Sequence, residues 1–323
     1  DYTLFDAGID SLDLVVFLNW IKDSLTDRNA PELAERVNPR LLSSISIRDL
    51  FGLVRQFVTA PAAATRAMAE FFTHAYEARV AAEKEKMRAD RSYKAVDRRV
   101  SVPQSQKIGT LITGGTGFLG PFLIDALIKQ SNEDLHVLVR GRNAQQARER
   151  LDKAFLENIV DPESRKAYEA RVHVILGDLE APHLGLDDAT WRRLADGVET
   201  VYHNGALVNY LLTYDHMRAA NVQGTSEVLD LCFTGRDKVL NYISTTFIFG
   251  WAVKDFLYES DNNDGMDRLD FGYSQTKWAA EQKVFQAMQQ GLRARVFRPS
   301  LVTPALNGNG GNLDIALRLL SFI

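Results

Sequence analysis

The sequence predicts an α/β protein built around a doubly wound parallel Rossmann sheet and preceded by a small all-helical module. Three observations lead there. From Gly109 onward, short β-rich runs alternate with longer segments of helical periodicity, which is the pattern of a parallel sheet with helices on both faces. A glycine-rich octet, Thr113-Gly114-Gly115-Thr116-Gly117-Phe118-Leu119-Gly120, stands between the first such run and the first helix. Before residue 60 the texture is different, with amphipathic helical stretches joined by polar chain.

The elements follow in order. Residues 12–24 place apolar side chains at helical spacing. A polar, proline-containing stretch runs from Thr26 to Pro39, and a second helix extends to about Val58. Ser46 is its expected N-cap, with Asp49 at the capping-box position. Residues 61–90 are alanine-rich and then charged through Glu83-Lys84-Glu85-Lys86. Mixed-sign charge favours water, so the expectation is a solvated connecting helix, with a partner-binding helix as the other reading. Residues 91–106 are polar, include Pro103 and read as a loop. Expected strands are Thr110–Thr113, His136–Arg140, Val172–Leu176, Thr200–His203, Val239–Ser244 and Arg293–Arg298, with helices near 118–130, 143–158, 187–195, 222–233 and 273–290. The expected domains are therefore 1–60, a helical linker over 61–106, and a dinucleotide-binding domain over 107–323.

Composition narrows the function. The 323 residues are 46% hydrophobic and 25% charged, as in ordinary globular proteins, and the net charge of −4 disfavours a nucleic-acid surface. The single cysteine, Cys232, excludes an internal disulfide framework and fits a reducing, cytoplasmic setting. It lies in the apolar run Val228–Phe233, where core packing is the expected fate. The six histidines show no metal-ligand spacing. No apolar run approaches the ~18 residues of a membrane span. The chain opens without Met and ends on Leu319-Leu320-Ser321-Phe322-Ile323, which reads as a segment cut from a longer protein.

The octet has T-G-x-x-G-x-x-G spacing. Gly114 permits the tight turn, Gly117 lets backbone approach a pyrophosphate, and Gly120 permits close packing of the helix on the strand; Thr116, Phe118 and Leu119 complete the loop. The second strand ends Leu138-Val139-Arg140-Gly141-Arg142. A carboxylate there would accept from a ribose 2′-hydroxyl, whereas guanidinium groups hold a 2′-phosphate through paired donors. NADPH is the expected cofactor, held by Arg140, with Arg150 as a second contact or merely a surface residue. Gly177-Asp178-Leu179 after the third strand is placed at the adenine edge. Asn204-Gly205-Ala206, after His203, is placed near the nicotinamide, and ordinary turn chemistry is the other reading of both segments.

Tyr273-Ser274-Gln275-Thr276-Lys277 puts a tyrosine and a lysine at i and i+4, on one helical face. A nearby ammonium favours the phenolate of a group that otherwise titrates near 10, and the lysine can also hold the nicotinamide ribose. Thr245, in Ser244-Thr245-Thr246 at the end of the fifth strand, is the expected donor to the carbonyl oxygen that becomes negative during hydride transfer. Ser244 and Thr246 are the other candidates.

Together, T-G-G-T-G-F-L-G, H-N-G-A, S-T-T, Y-S-Q-T-K and Arg298-Pro299-Ser300 resemble the extended short-chain dehydrogenase/reductase superfamily over residues 107–305. Within it, L-V-R-G-R with Arg150-Leu151, and Y-S-Q-T-K-W-A-A-E, are most similar to the terminal thioester reductase domains of polyketide and nonribosomal peptide synthetases and of carboxylic acid reductases. The resemblance implies Thr245, Tyr273 and Lys277 as the catalytic group, NADPH as reductant, cofactor contacts that include Pro299 and Ser300, and reduction of a carrier-bound acyl thioester to an aldehyde or on to an alcohol. It also implies a C-terminal substrate subdomain, most of which would lie beyond Asn312-Leu313-Asp314.

Phe5-Asp6-Ala7-Gly8-Ile9-Asp10-Ser11-Leu12 resembles the attachment motif of acyl and peptidyl carrier proteins. This implies a covalent 4′-phosphopantetheine on Ser11, a phosphopantetheinyl transferase and upstream synthetase or adenylation modules as partners, and an acyl thioester substrate. A serine opening a helix is also an ordinary N-cap. Three other functions stay open: an acyl-CoA reductase, a nucleotide-sugar epimerase or dehydratase, and a non-catalytic NADP-binding scaffold. The segment Tyr258–Asp270 reads equally as a lid or as a solvated connection.

Overall fold

β-Branched and aliphatic residues concentrate in six short runs, and all six are strands: β1 (Gly109–Thr113), β2 (Leu135–Val139), β3 (Val172–Leu176), β4 (Val198–His203), β5 (Val239–Ile243) and β6 (Arg293–Phe297). The computed structural model describes residues 2, 4, 7, 11–27, 45–59, 78, 80–96, 106–210, 212–250, 256–263, 269, 271–300 and 302. Two units make up the chain: Asp1–Ala89 with Val208–Met217 and Asp270–Gln275, and Asp90–Leu207 with Arg218–Leu269 and Thr276–Ile323.

The second unit holds the sheet. Its strands are all parallel in the order β3-β2-β1-β4-β5-β6, the expected doubly wound arrangement. Neighbouring residues of β1 face opposite ways. Leu111 enters a core with Trp191, Leu194, Val228 and Val284, while Ile112 enters one with Ile124, Ile128, Leu151 and Phe155. Helices cover both faces, and the inner strands β1 and β2 are buried along their whole length. The direction of winding changes between β1 and β4, and open sheets of this kind bind ligands at the carboxyl ends beside that point.

In chain order the longer helices are α1 (Ser11–Thr26), α2 (Ile47–Thr59), α3 (Gly120–Gln130), α4 (Ala144–Asn158), α5 (Pro162–Arg171), α6 (Asp188–Gly197), α7 (Gly224–Phe233) and α8 (Gly272–Gln289). Strand and helix ends shift from expectation by a few residues at most, and β2, β5 and β6 stop one residue short of Arg140, Ser244 and Arg298. The sequence pattern missed α5. Ser164 and Tyr168 are its only buried residues, too few to show a period. Cys232 is buried in α7, and burial pushes its thiol up to about 12.

Ser46 caps α2 as expected, its Oγ accepting from the Asp49 N–H at 3.0 Å. Asp49 does not return the bond to backbone: its carboxylate accepts the Ser46 hydroxyl proton at 2.8 Å. The expected connecting helix is present over residues 80–90 and mostly exposed, with Met87 and Glu83 buried. Glu83 accepts from Gln275 Nε2 at 3.4 Å, and Lys86 pairs with Asp215 at 2.6 Å. The polar stretch after it is also anchored. Tyr93 is buried and donates to Asp230 at 2.8 Å, and its N–H donates to Gln286 at 2.7 Å. The expected boundary near residue 60, the carrier-like residues Phe5, Asp6 and 8–10, the Ser11 side chain, residues 28–39, Pro103 and everything from residue 303 onward lie outside the described residues.

Candidate active site

The glycine loop shows which of its glycines are needed for packing. Gly114 has φ +73°, and a Cβ there would fall 2.6 Å from Gly205 N. Gly120 lies close against its own loop, and a Cβ there would fall 2.3 Å from Gly115 O. Close packing on the sheet, expected of Gly120, belongs instead to Gly115, whose Cβ would lie 2.4 Å from the Val137 side chain. Gly117 is exposed and its Cβ would meet only Gly114 O, at 3.4 Å. The side of the loop at Gly117 is therefore open. The start of α3 carries Pro121 and no side-chain cap. An open glycine backbone at an uncapped helix N-terminus fits a dinucleotide pyrophosphate. Thr116, Phe118 and Leu119 are partly exposed in this loop.

A buried hydrogen-bond chain ties this loop to the Asn204-Gly205-Ala206 segment. Thr225 donates to Asn221 O at 2.6 Å, so its oxygen accepts from His203 Nε2 at 3.0 Å. The other ring nitrogen, Nδ1, then accepts from the Thr113 hydroxyl at 2.7 Å, and Thr113 Oγ1 accepts from Gly205 N at 2.9 Å. Neutral His203 completes every link. Burial, then the charge of Lys277, lowers its pKa to about 3. Asn204 Nδ2 donates to Gly114 O at 3.0 Å. Asn221, in the π-helical turn Ala219–Gln223, pairs with both backbone groups of Leu207 at 2.7 and 2.9 Å. The pattern reading assigned nothing to Thr113, Asn221 or Thr225. A small hydroxyl at the end of a strand before a glycine loop was the only hint.

At the end of β2, Arg140 is more than half exposed and meets Glu180 at 3.4 Å. Arg150 reaches back from α4 and donates to Arg140 O at 2.7 Å, bringing both arginines to the same strand end. Asp178 is partly committed: its Oδ1 accepts from Glu180 N at 3.0 Å. Leu179 packs against Gly224, where a Cβ would lie 2.8 Å from Leu179 O.

The end of β5 distinguishes the hydroxyls of Ser244 and Thr245. Ser244 donates to Glu281 Oε2. Thr245 is buried, and its Oγ1 accepts from Phe247 N at 3.2 Å, which leaves its own proton to donate. The Thr246 N–H donates to Pro299 O at 3.1 Å, while Ser300 is exposed. Lys277 is buried in α8, with Nζ donating to Ile243 O at 2.7 Å and lying 4.3 Å from the centre of the Tyr242 ring. Burial lowers its pKa to about 7, and the Glu281 carboxylate opposes that fall.

Tyr273 stands in the first turn of α8, four residues before Lys277. Its ring is met edge-on by Tyr210 at 6.0 Å, and Tyr210 meets Phe271 in the same way at 6.1 Å. Gly272 makes this turn possible, since a Cβ there would fall 2.4 Å from Leu212 O. Glu281 and Arg298 were quoted in the sequence motifs without a role. They form a buried two-point pair, with Arg298 Nη2 and Nε donating to Glu281 at 2.8 and 3.2 Å. Arg298 also donates to Asp261 O at 2.7 Å, and Trp278 donates to Asn263 O at 2.6 Å. The described part of Tyr258–Asp270 is thus pinned rather than merely solvated. Among the described residues, no cluster of three metal-ligating side chains is found, and no helix is long and apolar enough to cross a membrane.

Residues 112–323 match the profile of an NAD-binding family described as "Male sterility protein". The L-2-aminoadipate reductase of Saccharomyces cerevisiae is 32% identical over 231 residues, which are 66% of this chain and 16% of that protein. The carboxylic acid reductase of Segniliparus rugosus is 35% identical over 217 residues, 62% of this chain and 18% of that protein. Among solved structures, the terminal R domain from the myxalamid PKS-NRPS biosynthetic pathway superposes with a TM-score of 0.67 at 35% identity, covering 73% of this chain and 61% of that one. The chain thus spans only a small part of the length of the curated relatives it matches.

Proposed function

The chain belongs to the NAD-binding family described as "Male sterility protein", and from that premise we propose that it is an oxidoreductase that reductively releases a carrier-bound acyl or peptidyl thioester. The thioester, one NADPH and one proton give an aldehyde, a free thiol and NADP⁺. A second equivalent of NADPH takes the aldehyde to the alcohol. The names of the reductase relatives support this reaction class.

NADPH supplies the hydride when bound. The glycine loop, from Gly114 to Gly120, receives the pyrophosphate through backbone N–H groups. Arg140 and Arg150 receive the 2′-phosphate, and Asp178 and Leu179 flank the adenine. Asn204, Gly205, Ala206, Pro299 and Ser300 line the nicotinamide side. Thr245 and Tyr273 donate hydrogen bonds to the carbonyl oxygen as it gains charge. Lys277 holds the ribose hydroxyls and favours ionisation of Tyr273 after its proton leaves. The observation that carries this reading is the partition of hydroxyl protons at the end of β5: the Ser244 proton goes to Glu281, whereas the Thr245 proton is left to donate.

Ser11, the first residue of α1, is the proposed site of 4′-phosphopantetheine. The arm would be attached by a phosphopantetheinyl transferase and loaded by upstream synthetase or adenylation modules. Tethering raises the effective concentration of the thioester at the reductase. A single buried cysteine suits the cytoplasmic location this chemistry implies. The test is incubation of the full chain with an acyl-pantetheine thioester and NADPH. NADPH oxidation with stoichiometric aldehyde or alcohol is expected, together with a mass increase on Ser11 after transferase treatment. Turnover of a nucleotide sugar without thioester reduction would overturn the reading.

A further inference from the structure

Glu281 is completely buried and, among the described residues, is the one carboxylate whose charge acts appreciably on Lys277. It stands four residues after Lys277, one helical turn along α8. Its two oxygens collect the Ser244 hydroxyl and both near nitrogens of Arg298. Each partner is the end of a different element. Ser244 follows β5 and adjoins Thr245; its own N–H donates to Phe297 O at 2.6 Å. Arg298 follows β6 and donates onward to Asp261 O and Glu259 O at 2.7 and 3.3 Å.

We propose that Glu281 is a positioning residue for the reduction: it fastens the hydroxyl edge Ser244–Thr245 to the helix that carries Lys277 and, through Arg298, fastens both to the Glu259–Asp261 segment. The inference rests on the reductase reading and deepens it. A buried ion pair by itself is poor grounds for a purely stabilising role, since apolar residues of similar volume often serve stability as well. Here Glu281 does two specific things. It engages the Ser244 hydroxyl hydrogen, so that of Ser244 and Thr245 the latter keeps its proton to donate. It also places a carboxylate beside a lysine that burial would otherwise neutralise. The other groups facing Lys277 supply no such charge: His203 on β4 is neutral and Tyr242 on β5 offers its ring.

The test uses the full chain with NADPH and an acyl-pantetheine thioester, comparing wild type, Glu281→Gln, Ser244→Ala and Tyr273→Phe. In Glu281→Gln, kcat is expected to fall at least about tenfold, with KM for NADPH changed less than about threefold. The ionisation of Lys277, followed by NMR in cofactor-free protein, should move to lower pH by about one unit, because an opposite charge has been removed. Ser244→Ala keeps the ion pair, so a loss of about threefold in kcat is expected with the lysine unmoved. A Glu281→Gln protein with wild-type kcat, or one that loses stability and kcat while Lys277 titrates as in wild type, overturns the proposal. If Glu281→Gln does not fold, wild-type kcat in Ser244→Ala overturns it. Turnover by Tyr273→Phe would instead overturn the reductase reading on which the inference rests.

Discussion

Two arginine–glutamate pairs stand at opposite ends of the sheet's ligand edge, and they differ in burial. Arg298 and Glu281, beyond β6, meet at 2.8 Å with side chains 12% and 0% exposed. Arg140 and Glu180, near the ends of β2 and β3, meet at 3.4 Å with side chains 54% and 44% exposed. The first pair has exchanged water for each other and for backbone carbonyls, so its charges are committed to structure. The second has kept its water, and an exposed pair of this kind contributes little to stability. An arginine that holds its partner loosely is one a ligand phosphate can take. The same two residue types thus form a fastener at one end and, in the proposed reading, leave Arg140 available to a 2′-phosphate at the other.

Arg298→Met leaves Glu281 charged and unpaired in the interior, and is expected to destabilise the protein by about 3–5 kcal/mol in chemical denaturation. Replacing both residues by apolar ones should recover most of that loss. His203 extends the burial argument to pH. Its folded pKa is lowered to about 3, so between about 6.5 and 3 the unfolded chain binds a proton that the folded one refuses. Its contribution to stability is therefore present above about pH 6.5 and is lost as pH falls, at up to about 1.4 kcal/mol per unit. His203→Gln should flatten that part of the profile. At the exposed pair, Arg140→Ala should leave the melting temperature unchanged and weaken NADPH about ten- to hundredfold while sparing NADH. Equal losses for the two cofactors would remove Arg140 from the 2′-phosphate. The smallest effect belongs to Glu180→Gln, which frees Arg140 and should tighten NADPH about two- to fivefold in a fluorescence titration.

The sequence shows most clearly what repeats or breaks a pattern. Six short β-rich runs locate the strands, and the glycine octet locates the loop between β1 and α3, because backbone that must turn tightly or lie close leaves a compositional mark. The spacing of Tyr273 and Lys277 is visible for the same reason: a helix turns a four-residue interval into one face. Pairings across elements leave no such mark. Glu281 and Arg298 are 17 positions apart with a turn and a strand between them, and neither residue type is unusual where it stands. Tyr93 sits among polar neighbours, so nothing local announces that its ring joins the core. Gly115 escaped because glycine-loop spacing assigns roles to its first, fourth and seventh positions, whereas the position against Val137 is set by the sheet below. Ser244 and Thr245 illustrate a related limit of pattern: adjacent hydroxyls look alike until their hydrogen-bond partners are known.

In the proposed reaction NADPH reduces a thioester whose carbonyl is held by Thr245 and Tyr273, with Lys277 beside them. The most direct measurement follows NADPH loss and product formation together, for wild type and Tyr273→Phe, with an acyl-pantetheine thioester and the full chain. The expected result is one NADPH consumed per aldehyde, or two per alcohol, with turnover in Tyr273→Phe reduced at least about a hundredfold and NADPH still bound. Thioester reduction at wild-type rate by Tyr273→Phe, or NADPH binding with no reduction by either protein, would contradict it.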